Sequence, residues 1–218
     1  HYRNIADDNL QKFLDHNNMK VIKTSFIQEV GFTQDQAVLT KVSKPCTVCG
    51  TLRRQIVNKY AQEFAVLATG HNMDDEAQTV LINLLRGNTE LFLRQGPKSE
   101  KNNYFTQRVR PLYFVAEKDL VRYVQNRNIT AQSYPCPHSG ESYRRFLKGP
   151  LNKEEESNTN VKKNILETFL TIKKDLKEKK QTVLPARTCK RCGQASKASM
   201  CKGCLFKEQI KTKIETSS

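Results

Sequence analysis

No apolar run in the 218 residues approaches the roughly 18 needed to cross a bilayer. No charged-then-apolar leader precedes a small-residue cleavage site either. The expectation is a soluble, cytoplasmic protein with no membrane partner. None of the nine glycines is adjacent to another, and no repeat of domain size is visible. Methionine occurs only at positions 19, 73 and 200, and the sequence opens on His1, so upstream residues are expected to have been removed or to belong to another chain. Acid is scarce relative to base: 22 Asp+Glu face 37 Lys+Arg, a formal charge of +15.

That excess says nothing about fold but favours a polyanionic partner, with nucleic acid first. From Glu141 onward there are 19 basic and 9 acidic residues, so two thirds of the net charge sits in the last third of the chain. A nucleic-acid backbone gripped there would release counterions; the plainer reading is a solvated basic surface. With 37% hydrophobic residues, the chain can bury one sizeable core plus a small appendage that needs its own staple.

The pattern of elements is that of an α/β protein. Leu10, Phe13 and Leu14 follow helical spacing up to Asn17 and Asn18, and Met19 to Phe26 reads as a β-branched strand. Thr33 and Gln36 form a capping-box signature. A helix from near Thr47 carries Leu52, Ile56, Val57, Tyr60 and Phe64 on one face. Ala65 to Ala68 is a short apolar strand that breaks at Gly70, and Asn72 caps a helix through Ala77, Val80, Leu81, Leu84 and Leu85. Strand, glycine turn and helix in that order belong to a parallel sheet. Val109 to Phe114 predicts a further strand, Ala116 to Arg127 a helix, Asn152 to Asn160 a polar linker or loop, and Val161 to Lys180 a helix with Ile165, Leu166, Phe169, Leu170 and Leu176 inward.

Six of the seven cysteines form three Cys-x-x-Cys pairs, which in a reducing compartment points to metal or redox chemistry. Cys189, Cys192, Cys201 and Cys204 are two knuckles close enough to close one tetrahedral site, and four soft ligands with no water position imply structural zinc. Unrelated surface thiols are the alternative. Cys46 and Cys49 have no second pair nearby. They precede a helix, and Arg53 and Arg54 add positive charge one turn on, so an open or redox-active site is expected. With Cys136, held between two prolines, they would leave one iron of a [4Fe-4S] cluster without a protein ligand. Spacing leaves two other readings open: a disulfide-exchange pair with Cys136 as a bystander, or zinc completed by His138. Thr69-Gly70-His71-Asn72-Met73-Asp74-Asp75 lies at a strand-to-helix turn suited to a nucleotide phosphate, with Asp74 and Asp75 able to bind Mg2+ or manage protons. A helix cap with dipole-stabilising acids fits the same residues.

Taken in order, several segments resemble the archaeal and cytosolic tRNA 2-thiouridine synthetases among the N-type ATP pyrophosphatases. They are Cys-Thr-Val-Cys-Gly-Thr-Leu-Arg-Arg-Gln from Cys46, Thr-Gly-His-Asn-Met-Asp-Asp-Glu-Ala-Gln-Thr from Thr69, Leu-Leu-Arg-Gly-Asn from Leu84, Gln132 to Pro137, and the terminal knuckles. The resemblance runs from Tyr2 to Leu205. It implies a parallel-sheet, adenine-nucleotide alpha-hydrolase-like domain over 1–148 with an iron-sulfur site, a linker and basic helix over 149–186, a zinc ribbon over 187–206, and a tail over 207–218. It makes Cys46, Cys49 and Cys136 ligands of a [4Fe-4S] cluster and Cys189, Cys192, Cys201 and Cys204 ligands of Zn2+. Arg53 and Gly70 would contact ATP, and Asp75 falls at the family's catalytic aspartate.

The implied reaction is adenylation of uracil O2 by ATP, followed by attack of sulfur on C2. The sulfur would come from a ubiquitin-like carrier and be held at the open iron. Arg53 stands where relatives acting on the tRNA T-loop have lysine, so the wobble uridine is the favoured target. A homodimer, or a heterodimer with a related subunit, is the expected assembly. The family's Ser-Gly-Gly-x-Asp-Ser phosphate loop and N-terminal cysteine knuckles are absent from these residues. This chain alone is therefore expected to lack the first strand of the sheet and to be inactive. The rival reading is a non-catalytic zinc-ribbon subunit that binds tRNA.

Overall fold

Helix starts are where the sequence is most explicit. A computed structural model describes residues 2–131, 135–140, 142–179 and 187–216. After α1 (Tyr2–His16), Ser25 accepts from the Gln28 N–H and opens α2 (Phe26–Val30), which stops at Gly31 with a φ of 83°. Thr33 and Gln36 then close the expected capping box at the head of α3 (Gln34–Leu39), each side chain accepting from the other's N–H. Proline at the first position, where no N–H is needed, starts α4 (Pro45–Ala61). The strand expected over Met19 to Phe26 does not form. Met19, Val21 and Ile22 are exposed, and β-branched residues make a strand only where a neighbouring edge offers hydrogen bonds.

β1 (Val66–Ala68) pairs in parallel with β2 (Gln107–Val109), Val66 opposite Gln107 and Ala68 opposite Val109. The crossover that parallel pairing demands contains α5 (Met73–Leu85) and α6 (Thr89–Leu93). β2 stops short of the expected Phe114, because Pro111 has no N–H for a ladder and residues 111–114 turn, with Tyr113 N–H bonded to Arg110 O. α7 (Glu117–Asn126) follows as expected. A short 3-10 turn (Pro137–Ser139) leads to α8 (Tyr143–Ser157) and α9 (Val161–Lys179). α8 therefore covers most of the segment expected to be a loop at 152–160. Its Leu147 and Leu151 are buried, and its Asn152 and Glu155 reach Lys162 of α9, so long-range contacts outweigh a polar composition. Gln132 to Tyr134, Glu141 and residues 180–186 lie outside the described residues. The C-terminal unit is a hairpin, β3 (Arg187–Thr188) with β4 (Ala195–Ser196), followed by α10 (Lys202–Glu215).

Among the described residues, apolar packing divides into two cores. One joins α5, α6 and α9 through Met73, Ala77, Val80, Phe92, Leu166 and Phe169, with Phe92 and Phe169 edge to face at 4.9 Å. The other joins α2, α3, α4 and α10 through Val30, Ala37, Val48, Leu52, Phe206 and Ile210, with Phe32 of the α2–α3 turn.

Candidate functional site

At the turn after β1, Asn72 accepts from the Asp75 N–H at 3.0 Å and the Asp75 carboxylate accepts from the Asn72 N–H at 3.4 Å. This second capping box fixes both acids at the head of α5, and the structure gives them different surroundings. Asp74 is 4% exposed; it accepts from the Glu117 N–H at 2.7 Å and pairs with Lys162. Lys162 also pairs with Glu155 at 2.8 Å. Burial pulls the Lys162 ammonium down, but Asp74 and Glu155 outweigh it and hold the group above the ordinary lysine range. Asp74 thus ties α5, α7, α8 and α9 together. Asp75 faces outward and pairs with Arg144, which also donates to Thr79 Oγ1 at 2.7 Å.

Asp75 and Arg144 line a cleft of about 360 Å³ together with Asn72, Pro135, Ser139 and Ser142. His71 sits at the same turn, its Nδ1 3.1 Å from Thr69 Oγ1. Desolvation holds its imidazole below the ordinary range; Asp75 pulls the other way, and Arg110, Arg144 and Arg108 push further down. The space over Gly70 is open, since a Cβ built there meets nothing within 4 Å. Glu76 is buried, its Oε1 2.9 Å from Arg110 Nε, and burial raises its pKa.

The 3-10 turn after Cys136 packs against α4, and Cys136 and Cys49 both stand near enough to Cys46 to act on its thiol, although the three sulfurs do not all lie within 4.8 Å of one another. Cys46 Sγ lies 3.7 Å from His138 O. Burial, then Cys136, then Cys49 push the Cys46 thiol up. Arg53 brings Nη2 to 3.9 Å from Cys49 Sγ. His138, which would complete a mononuclear site, turns Nε2 toward Asp35 at 2.5 Å. Among the described residues, the group of three or more ligand atoms within 4.8 Å of one another is Cys189, Cys192, Cys201 and Cys204. Cys192 and Cys201 sulfurs are 3.7 Å apart. Tetrahedral zinc with bonds of about 2.3 Å requires an S···S spacing of about 3.8 Å, so this set fits such an ion.

Sequence reading missed Arg144, Lys162 and Gln55. For two of them a signal was present. Lys162 lies one turn before Ile165 and Leu166, and Gln55 falls between Leu52 and Ile56, so each is a polar residue on an apolar stripe. Arg144 has no such mark. Among the described residues no helix is long and apolar enough to cross a membrane.

A model of the PP-loop domain matches residues 14–154. A probable sulfurtransferase of Methanocaldococcus jannaschii is 34% identical over 96% of this chain and 62% of its own length. The tRNA-5-methyluridine(54) 2-sulfurtransferase of Pyrococcus horikoshii is 34% identical over 79% of this chain and 57% of its own length. Among solved structures, the U34-tRNA thiolase NcsA from Methanococcus maripaludis, with its [4Fe-4S] cluster, superposes with a TM-score of 0.78 at 26% identity, covering 94% of this chain and 65% of that one. The chain thus spans about three fifths of the length of the curated relatives it matches.

Proposed function

The chain belongs to the PP-loop domain family, and from that premise we propose that it is part of a cytoplasmic tRNA sulfurtransferase that converts a uridine to 2-thiouridine. One observation carries the reading. Asp75, at the head of α5, shares a cleft with Pro135, and the next residue, Cys136, lies on the turn that packs against α4 near Cys46, which Cys49 also neighbours. A carboxylate at a nucleotide-type turn is therefore linked through one short segment to the neighbourhood of three cysteines.

In the proposed reaction uracil O2 attacks the α-phosphorus of ATP and pyrophosphate leaves; sulfur then attacks C2, and AMP departs with the oxygen. Gly70, with open space above it, lets the nucleotide approach the backbone, and Arg53 supplies positive charge. Asp75 holds Mg2+ or a proton at this turn, oriented by Arg144. Cys46, Cys49 and Cys136 would hold a [4Fe-4S] cluster, which when bound supplies an iron free of protein ligands as a Lewis acid. Cys189, Cys192, Cys201 and Cys204 hold structural zinc. The sulfur is delivered by a ubiquitin-like carrier with a thiocarboxylate end, and basic residues of the C-terminal third hold tRNA. Arginine at position 53 favours the wobble uridine, and the U34 specificity of the solved thiolase supports that choice.

Anaerobic reconstitution of the full natural protein tests this. Four irons per chain are expected, and each of Cys46→Ser, Cys49→Ser and Cys136→Ser is expected to lower cluster content and abolish thiolation of tRNA. Full turnover by an iron-free preparation, or by Cys136→Ser, read by mass spectrometry of the nucleoside, would replace the cluster by disulfide exchange between Cys46 and Cys49. A second reading, a non-catalytic tRNA-binding subunit, is favoured by the absence of any glycine pair from these residues. A Ser-Gly-Gly-x-Asp-Ser loop encoded upstream in the natural gene would remove its support.

A further inference from the structure

Gln55 is the buried polar residue of α4 that the proposed reaction leaves without a task. It is 8% exposed. Its Nε2 lies 3.4 Å from Cys192 Sγ, 3.5 Å from Cys201 Sγ and 3.4 Å from Cys204 Sγ. Its backbone carbonyl accepts from Gln194 Nε2 at 2.9 Å, a second tie to the same hairpin. Its Oε1 is buried without a partner. Space for the amide depends on Gly203, where an added Cβ would come within 2.7 Å of Gln55 Oε1.

A carboxamide has two N–H donors and one acceptor, and neutral thiols are poor acceptors. Three sulfurs around one amide nitrogen make strong contacts only when they carry charge, as metal-bound thiolates do. Four thiolates on a divalent ion leave a net negative centre, which a buried N–H donor stabilises and an amide oxygen would repel. Groups outside the ligand set that bond to the ligands orient them and change metal affinity about 10–100-fold.

The helix that carries Gln55 also carries Cys46 and Cys49 in its first two turns. Val48 and Leu52 of the same helix pack in one core with Phe206 and Ile210 of α10. From this juxtaposition we propose that Gln55 is a positioning residue. It donates to the thiolates of the C-terminal metal centre and so makes metal occupancy there hold α4, and with it the Cys46 and Cys49 pair, in place. The inference rests on the proposed metal ribbon at Cys189, Cys192, Cys201 and Cys204.

The test compares wild type with Gln55→Leu, Gln55→Glu and Gly203→Ala in the natural protein without its iron cluster, loaded with zinc or cobalt(II). Circular dichroism first checks that each variant is folded. Gln55→Leu is expected to release metal to a chelator at about 10-fold lower chelator concentration than wild type. Gln55→Glu, which sets a carboxylate against thiolates, is expected to release it more readily still. Gly203→Ala, which displaces the amide from the other side, follows Gln55→Leu. All three shift the sulfur-to-cobalt charge-transfer band. Alkylation at Cys46, followed peptide by peptide, quickens when wild type is stripped of the ribbon metal, and in Gln55→Leu is already fast with metal present. Unchanged metal retention and an unchanged cobalt band in folded Gln55→Leu would overturn the proposal and leave Gln55 as packing. A wild-type protein that binds no zinc or cobalt would overturn the metal-ribbon reading itself, and with it this inference.

Discussion

Where α5 meets α9, the buried charge is Lys162, and its counter-charges, Asp74 and Glu155, come from the same chain. Where α4 meets α10, four sulfurs lie within 4.8 Å of one another and the amide of Gln55 is turned against three of them. Both regions bury groups that water would otherwise solvate, at a cost unless they are compensated. The first compensates with a lysine and two carboxylates distributed over three helices, so it is complete as a polypeptide. The second has the donors of a tetrahedral centre, and its natural counter-charge is an ion. One half of the molecule should hold its shape by itself; the other should depend on metal.

The strongest way to break that contrast is to remove a ribbon ligand. Cys192→Ser is expected to lose about one zinc per chain and to loosen residues 187–216, because metal binding in such small units contributes on the order of 10 kcal/mol of their folding. Amide exchange in α5 and α9 should stay slow in the same variant. Unchanged zinc by elemental analysis, or equal loosening of both halves, would dissolve the distinction. Next in size is Lys162→Met. It leaves the buried Asp74 and the half-buried Glu155 without their cation and should cost about 3–5 kcal/mol in urea unfolding, with metal content unaffected. A loss below about 1 kcal/mol would mean that water reaches those carboxylates.

These features differ in how far the sequence displays them. The capping box at Thr33 and the cap at Asn72 were legible because a cap is settled locally among four residues. The inward face of α9 was legible too, since Leu166 and Phe169 repeat at helical spacing. The four ribbon cysteines follow from ligand spacing alone. Met19 to Phe26 misled because its propensity for strand had no edge to pair with, and Asn152 to Asn160 because its helix is held by Lys162, a residue beyond the segment. Cys136 is 87 residues beyond Cys49; its place beside α4 depends on tertiary packing, so spacing left it open between cluster ligand and bystander, and the family resemblance favoured the ligand. The resemblance distinguished Asp75, but the buried tie of Asp74 to Lys162 was not legible, because adjacent acids of one type differ only in what the fold brings to each.

The finest contrast between the halves is the sign of their response to acid. In the α4 half, Glu29 accepts from Tyr60 at 2.6 Å, Lys59 at 3.0 Å and Thr24 at 3.1 Å. The Tyr60 hydroxyl, against an opposing push from burial and with help from Lys59 and Thr24, holds the carboxyl below its ordinary 4.5. The unfolded chain then binds more protons in the interval below 4.5, so the stability Glu29 contributes is complete above that value and is lost as pH falls through the folded pKa. Glu76, in the α5 half, is shifted the other way. Burial raises it above 4.5 despite Arg110, so the folded chain binds more protons above 4.5 and stability declines as pH rises through that interval. Urea midpoints collected between about pH 3 and 7 should therefore lose an acid-side fall in Glu29→Gln and a rise-side decline in Glu76→Gln. Both changes should be smaller than those of Cys192→Ser or Lys162→Met, because neither strips a buried ion of all its partners. Matching pH slopes in the two variants would mean that the two carboxyls share one kind of surroundings, and the electrostatic contrast between the halves would then rest on Lys162 and the sulfurs alone.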